Sequence, residues 1–114
     1  MVGGTGYIPE RGDIVWLTFS PQTGREQAGR RPALVLSPRA YNAATNLMIA
    51  CPVTSHQKGY PFDVALPAGT SIQGVILADH VKSINWQARN AVFVETASEA
   101  VVRQVAEYLA RLLP

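Results

Sequence analysis

The chain has one cysteine, Cys51, in 114 residues. An intramolecular disulfide is excluded, and so is a cysteine-rich zinc site. Charge is scarce too: only 16% of residues are Asp, Glu, Lys or Arg, with a net of +2. Long acidic or basic tails are absent, and a hydrophobic share of 47% is too high for a disordered chain. No apolar run reaches the ~20 residues of a membrane-spanning helix. The glycine-rich start, Met-Val-Gly-Gly-Thr-Gly, has neither the basic nor the apolar region of a signal peptide, so a cytoplasmic protein is expected. Also missing are the phosphate loop G-x-x-x-x-G-K-S/T, a strand-borne G-x-G-x-x-G and the nucleophile elbow G-x-S-x-G. Parallel nucleotide-binding folds and elbow-type serine hydrolases are disfavoured.

What the sequence does have is a series of short apolar runs divided by turn residues. Residues 1–6 are expected to be disordered, and Pro9-Glu10-Arg11-Gly12 turns into a strand over 13–19. In that strand Val15, Leu17 and Phe19 share one face while Ile14 and Trp16 share the other, which predicts cover on both sides. Further strands are predicted over 32–36, with Pro32 tolerated as the first residue, and over 47–53, 60–66, 74–77, 79–84 and 91–95. Residues 39–46 read as one helical turn or a loop. A terminal helix follows, capped by Thr96 with Glu99 as a capping box or by Ser98. Its Val101, Val105, Leu109 and Leu112 recur at three- and four-residue spacing and are expected to dock on their own domain. The sum is one domain, 1–114, of the α+β class: six or so short strands in a small curved or barrel-like antiparallel sheet with a C-terminal helix. Outward apolar residues of the first strand, Trp16 among them, are candidates for a dimer contact.

The densest polar stretch is residues 24–32, Gly-Arg-Glu-Gln-Ala-Gly-Arg-Arg-Pro, with three arginines and Glu26 close together. A loop pinned by Pro32 and an apolar strand can hold Arg31 in place for a phosphate or carboxylate, and a solvated hairpin loop fits the composition equally well. A second polar loop, His56-Gln57-Lys58-Gly59, follows Thr54, and Lys82 is expected to face outward. Cys51 lies in an apolar run and is expected to pack. His56 and His80 are candidates for acid–base work, since an unperturbed imidazole titrates near ~6.5, but nothing in their spacing brings them together. The scattered acids offer no metal set. What remains is phosphate chemistry built from Arg31, Thr54 and Glu26. In RNA cleavage the 2′-hydroxyl attacks its own phosphorus, so the protein needs to supply charge stabilisation, a proton acceptor and a proton donor. Arginine suits the first task, whereas its guanidinium stays protonated to above ~12, so proton transfer falls to Glu26 or the substrate.

Three blocks then stand in a fixed order: Glu-Gln-Ala-Gly-x-Arg-Pro-Ala-Leu-Val-Leu-Ser-Pro (26–38), Pro-x-Thr-x-x-x-Lys-Gly-Tyr-Pro-Phe (52–62) and Leu-Ala-Asp-His-Val-Lys-Ser-Ile-x-Trp (77–86). Together they strongly resemble the MazF/PemK family of toxin–antitoxin systems. The resemblance implies a strongly bent, SH3-like antiparallel β-barrel with a C-terminal helix, also similar to CcdB, and a homodimer. It implies a metal-independent, cofactor-free, sequence-specific endoribonuclease that cuts single-stranded mRNA, leaving 2′,3′-cyclic phosphate and 5′-hydroxyl ends, and so arrests translation and growth. A MazE-type antitoxin is the implied partner, with no membrane association. Carried over by position, the catalytic arginine falls on Arg31, the catalytic threonine on Thr54 and the loop carboxylate on Glu26. Lys58 and Lys82 resemble RNA-contacting lysines, and Gln27, Arg30 and His56 join them as RNA-binding candidates. Arg30 and His80 depart from the family pattern, so base preference does not transfer. Two alternatives stand beside this reading: a CcdB-like inhibitor of DNA gyrase, and an RNA-binding module that never cleaves.

Overall fold

A computed structural model describes residues 6–19, 29–55 and 59–113 of the chain. Within them lie β1 (Asp13–Phe19), β2 (Gly29–Val35), α1 (Arg39–Thr45), β3 (Leu47–Thr54), β4 (Asp63–Ala65), β5 (Val75–Leu77), a 3-10 turn (Ala78–His80), β6 (Lys82–Asn85), β7 (Val92–Thr96) and α2 (Glu99–Leu112). Every pairing is antiparallel. The strands lie side by side as β4-β5-β3-β2-β1-β7, with β6 also paired to β3. The α+β class and the antiparallel sheet with its terminal helix are as the sequence predicts.

The sheet divides on β3. Residues 47–50 of β3 pair with β6, whereas Val53 and Thr54 pair with β5, and Pro52 sits in the gap. Backbone polar groups alternate sides along a strand. The Ile49 carbonyl accepts from the Leu36 N–H at 2.8 Å on the β2 side, so the Pro52 nitrogen faces the divided edge. A missing N–H costs no ladder bond there. The same alternation accounts for Pro32. Its nitrogen faces β3 at the place where an N–H would donate to Val53, and proline has no hydrogen to give. The β2–β3 ladder accordingly stops with Ala33 opposite Pro52.

Pro32 is thus an interior residue of β2 and not its first. β2 begins at Gly29 because its pairing with β1 runs on, from Leu34 opposite Ile14 to Gly29 opposite Phe19. Arg30 and Arg31 are therefore strand residues, where the sequence pointed to a loop. Three further expectations are revised. Residues 60–66 yield only the three-residue β4, since Tyr60 and Asp63 close a turn: the Tyr60 N–H donates to Asp63 Oδ2 and the Asp63 N–H to the Tyr60 carbonyl, both at 3.1 Å. The stretch 79–84 opens with the 3-10 turn, and the strand starts only at Lys82. Residues 39–46 form a helix that ends at Asn46, whose φ of 61° stops it in the left-handed region that Asn tolerates.

Both faces of β1 are covered, as its two-residue period requires. Ile14 packs with Leu34, Cys51 and Ile76 under Val101, Val102 and Val105 of α2, and Trp16 rests partly buried on that cluster. Val15 and Leu17 pack on the other side with Ala33, Val35, Met48 and Trp86. The apolar stripe of α2 docks on its own domain, while Leu112 at its end stays exposed. Ser98 is the cap: its Oγ accepts from the Val101 N–H at 3.2 Å. Thr96 still belongs to β7, and Glu99 pairs with Arg103 at 3.2 Å, so no capping box forms at Thr96. Asn42 of α1 is fully buried. Its Nδ2 donates to the carbonyls of Pro9 (2.9 Å) and Ser37 (3.0 Å), and its Oδ1 accepts from Ser37 Oγ at 2.6 Å. Among the described residues no helix is long and apolar enough to cross a membrane. The expectation of disorder over 1–6 lies, Gly6 apart, outside the described residues.

Candidate active site

The candidate site lies at the end of the β2–β3 ladder. The register sets Ala33 opposite Pro52. Two residues beyond, where no ladder bond holds the strands, the same register brings Arg31 level with Thr54. Side chains alternate along a strand, so Arg31 follows Ala33 on its face and Thr54 follows Pro52. Arg31 is exposed and Thr54 half-buried, and both line two adjoining clefts.

The first cleft, about 510 Å3, extends over Trp16, Arg30 and the residues Ser71, Ile72 and Gln73 of the β4–β5 loop. The second, about 410 Å3, has an apolar floor of Leu17, Ala33 and Pro52 and reaches His80 and Lys82. Lys82 is carried there by β6, which pairs it with Ala50, and it is exposed as expected. No Asp or Glu lines either cleft among the described residues.

The two neighbouring arginines have different surroundings. Strand alternation turns Arg30 to the face of Trp16, and its guanidinium carbon lies 5.0 Å from the Trp16 ring centroid, within cation–π range. Arg31 enters no ion pair among the described residues. One arginine is stacked on Trp16, and the other is exposed beside Thr54. A guanidinium, a hydroxyl and a lysine around an apolar floor make a surface that can grip phosphate oxygens and lay a base against aliphatic carbon.

Cys51 takes no part. Its Sγ lies 3.6 Å from the Ala78 carbonyl, and burial, helped by the Asp79 charge, pushes the thiol up to about 12. A thiol held protonated at neutral pH is no nucleophile. Among the described residues no three His, Cys, Asp or Glu side chains gather as a metal set.

Of the residues that sequence reasoning assigned to function, Arg31, Thr54, Arg30 and Lys82 line these clefts. Glu26, Gln27, His56 and Lys58 lie outside the described residues. Reasoning from the sequence missed Ser71, Ile72 and Gln73 as cleft residues, and no motif marks them. Trp16, named from the sequence as a candidate dimer contact, is half-buried with the Arg30 guanidinium over its ring, a placement set by the register that puts Trp16 opposite Pro32.

Residues 10–113 match the family model described as PemK-like, MazF-like toxin of type II toxin–antitoxin system. The chain belongs to this family. The endoribonuclease toxin MazF of Escherichia coli (strain K12) is 53% identical to it over 85 residues, which span 75% of this chain and 76% of that protein. The endoribonuclease PemK of Escherichia coli is 33% identical over 108 residues, 91% of this chain and 81% of that one. A crystal structure of MazE–MazF from Deinococcus radiodurans matches with a TM-score of 0.90 at 55% identity, covering 94% of this chain and 96% of that chain. The fold of this MazF/PemK-family toxin is the one its three sequence blocks implied. The curated relatives bear the name endoribonuclease, which disfavours the gyrase inhibitor and the non-cleaving module.

Proposed function

We propose that this toxin is a metal-independent, sequence-specific endoribonuclease that cuts single-stranded mRNA at the gap between Arg31 and Thr54. The observation that carries the reading is the alignment of these two side chains beyond the last β2–β3 pair, on a surface with no described carboxylate. In the reaction the 2′-oxygen forms a bond to phosphorus while the bond from phosphorus to O5′ breaks. The products are a 2′,3′-cyclic phosphate and a 5′-hydroxyl. The 2′-proton passes to a base and O5′ takes up a proton, so the protein supplies no nucleophile.

Arg31 meets the charge that grows on the phosphoryl oxygens, and Thr54 donates to one non-bridging oxygen without adding charge. Glu26 orients Arg31 or accepts the 2′-proton. Arg30, Lys82, Gln27, His56 and Lys58 hold the RNA on either side, and the apolar floor of the second cleft accommodates a base. Such contacts position the strand so that the 2′-oxygen, phosphorus and O5′ come into line, which is where much of the rate arises when the nucleophile is intramolecular. The mRNA substrate places this work in the cytoplasm. A second copy of the chain completes the working unit, and a MazE-type antitoxin, the partner named with MazF in the matched Deinococcus radiodurans structure, holds it inactive by covering the RNA surface.

The test is to incubate the purified toxin, free of antitoxin, with a long single-stranded RNA in EDTA and to map the new ends. Discrete fragments with 5′-hydroxyl ends are expected. Intact RNA would overturn the reading, and cleavage that appears only with a divalent metal would overturn its metal independence.

A further inference from the structure

Thr54 is the last residue of β3 and pairs with Val75, the first residue of β5, just after the loop that leads into β5. Gly74 is the last residue of that loop. It has a φ of +126°, and a Cβ built on it would lie 2.0 Å from the Thr54 carbonyl oxygen, 2.8 Å from the carbonyl carbon and 3.0 Å from Ser55 Cα. Only a residue without a side chain lets the backbone pass this close. Clearing such a Cβ to ordinary contact requires a shift of at least about 1.4 Å, and what stands in its way is the backbone of Thr54 itself.

The loop is held from the other side as well. Glu95 of β7 reaches it with both carboxylate oxygens: Oε1 accepts from the Ser71 N–H at 3.0 Å and Oε2 from the Ile72 N–H at 3.1 Å. Charge-assisted bonds of this kind are stronger than neutral ones. Within the loop, Thr70 Oγ1 donates to the Ile72 carbonyl at 2.7 Å. Ser71, Ile72 and Gln73 form a wall of the same cleft that Arg31 and Thr54 line. The loop therefore joins the edge strand to the reaction site by one carboxylate at one end and one close backbone contact at the other.

We infer that residues 71–74 are a positioning element that fixes Thr54 against the scissile phosphate, with Gly74 and Glu95 as its positioning residues. The inference rests on the role given to Thr54 under Proposed function. Neither residue touches substrate; both act through the placement of the Thr54 backbone, and through it of the hydroxyl. Such a role shows in kcat, because the arginines and lysines that bind the rest of the RNA are left in place.

The test compares single-turnover kcat and KM on one RNA for Gly74→Ala, Thr54→Val, their double variant, Glu95→Ala, Glu95→Gln and Gly69→Ala. Gly69 is the control: it has a φ of +98° in the same connection, and a Cβ there meets nothing within 4 Å. Thr54→Val is expected to lower kcat about 100-fold. Gly74→Ala should approach that loss, as a displacement of about 1 Å at a reacting group does, with KM little changed. The double variant should be no slower than Thr54→Val alone, and Gly69→Ala should match wild type. Glu95→Ala should lower kcat less than Gly74→Ala, with partial rescue by Glu95→Gln, which keeps one acceptor. Losses that multiply in the double variant, or equal losses at Gly69 and Gly74, would overturn the inference. If Gly74→Ala does not fold, the Glu95 pair decides: full kcat in Glu95→Ala would overturn it. Wild-type kcat in Thr54→Val would refute the underlying assignment instead, and is thereby told apart.

Discussion

Replacing Asn42 with Ala should be among the most damaging single changes in this small chain, and should damage stability without touching chemistry. The side chain is fully buried and makes three hydrogen bonds, to the Pro9 carbonyl, the Ser37 carbonyl and the Ser37 hydroxyl. Alanine removes all three and leaves two interior carbonyls without those donors. At about 1 kcal/mol net for each bond, with a further desolvation cost for the stranded carbonyls, the loss comes to roughly 3–5 kcal/mol. That is a large part of the 5–15 kcal/mol of stability typical of a domain. The loss extends beyond α1. Ser37 Oγ also accepts from the Ile49 N–H at 2.8 Å, and the Asn42 carbonyl accepts from Trp86 Nε1 at 3.0 Å, so the N-terminal segment, β3 and the Trp86 core share one polar hub. Urea unfolding is the assay: the midpoint should fall with the slope unchanged, the mark of lost stability in an unchanged native state. RNA cleavage by the folded fraction should keep its wild-type rate, because Asn42 lies near the start of β3 and Thr54 is at its end. A loss below about 1 kcal/mol would refute the reasoning by showing that water takes over these bonds.

Two further outcomes follow from the site and the core. Lys82→Ala should weaken RNA binding and lower the magnitude of the salt slope of log Kd by about 0.7, the value for one phosphate contact on a single strand; an unchanged slope would place Lys82 off the RNA path. Cys51 should resist thiol reagents in the folded toxin at pH 8. Its pKa is raised to about 12 in the folded chain against 9.0 for an exposed thiol, so its share of stability is intact below pH 9 and is lost as the pH climbs from there toward 12. Rapid labelling at pH 8 under native conditions would contradict this.

The strands were legible where one period dominates. Residues 13–19 alternate cleanly, and the two clusters that cover β1 are the two faces that alternation predicted. α2 was legible because Val101 and Val105 keep helical spacing and Ser98 offers an oxygen to the first turn. The start of β2 was not, since Arg30 and Arg31 carry no strand signal of their own; β1 recruits them by pairing. The 3-10 turn at 78–80 escaped for the opposite reason: the run 79–84 reads as one strand, yet its start has no sheet partner and pairing begins only at Lys82.

At the site, Arg31 and Thr54 could be named from residue chemistry and from the family blocks. Their alignment could not, because it depends on Pro32 and Pro52 facing opposite edges of β3, a matter of register that no local pattern encodes. Glu95 and the wall at 71–73 were invisible for a related reason: a carboxylate on β7 meets a loop more than twenty residues earlier in the chain.

The central claim is that the gap between Arg31 and Thr54 holds the scissile phosphate. Its most direct test is single-turnover cleavage of one RNA with a mapped cut site, in EDTA, by the wild-type toxin and by Arg31→Ala of verified fold. A fall in rate of about 1,000-fold, with cleavage at the same bond, is the predicted result. Cleavage by Arg31→Ala at the wild-type rate would contradict the account.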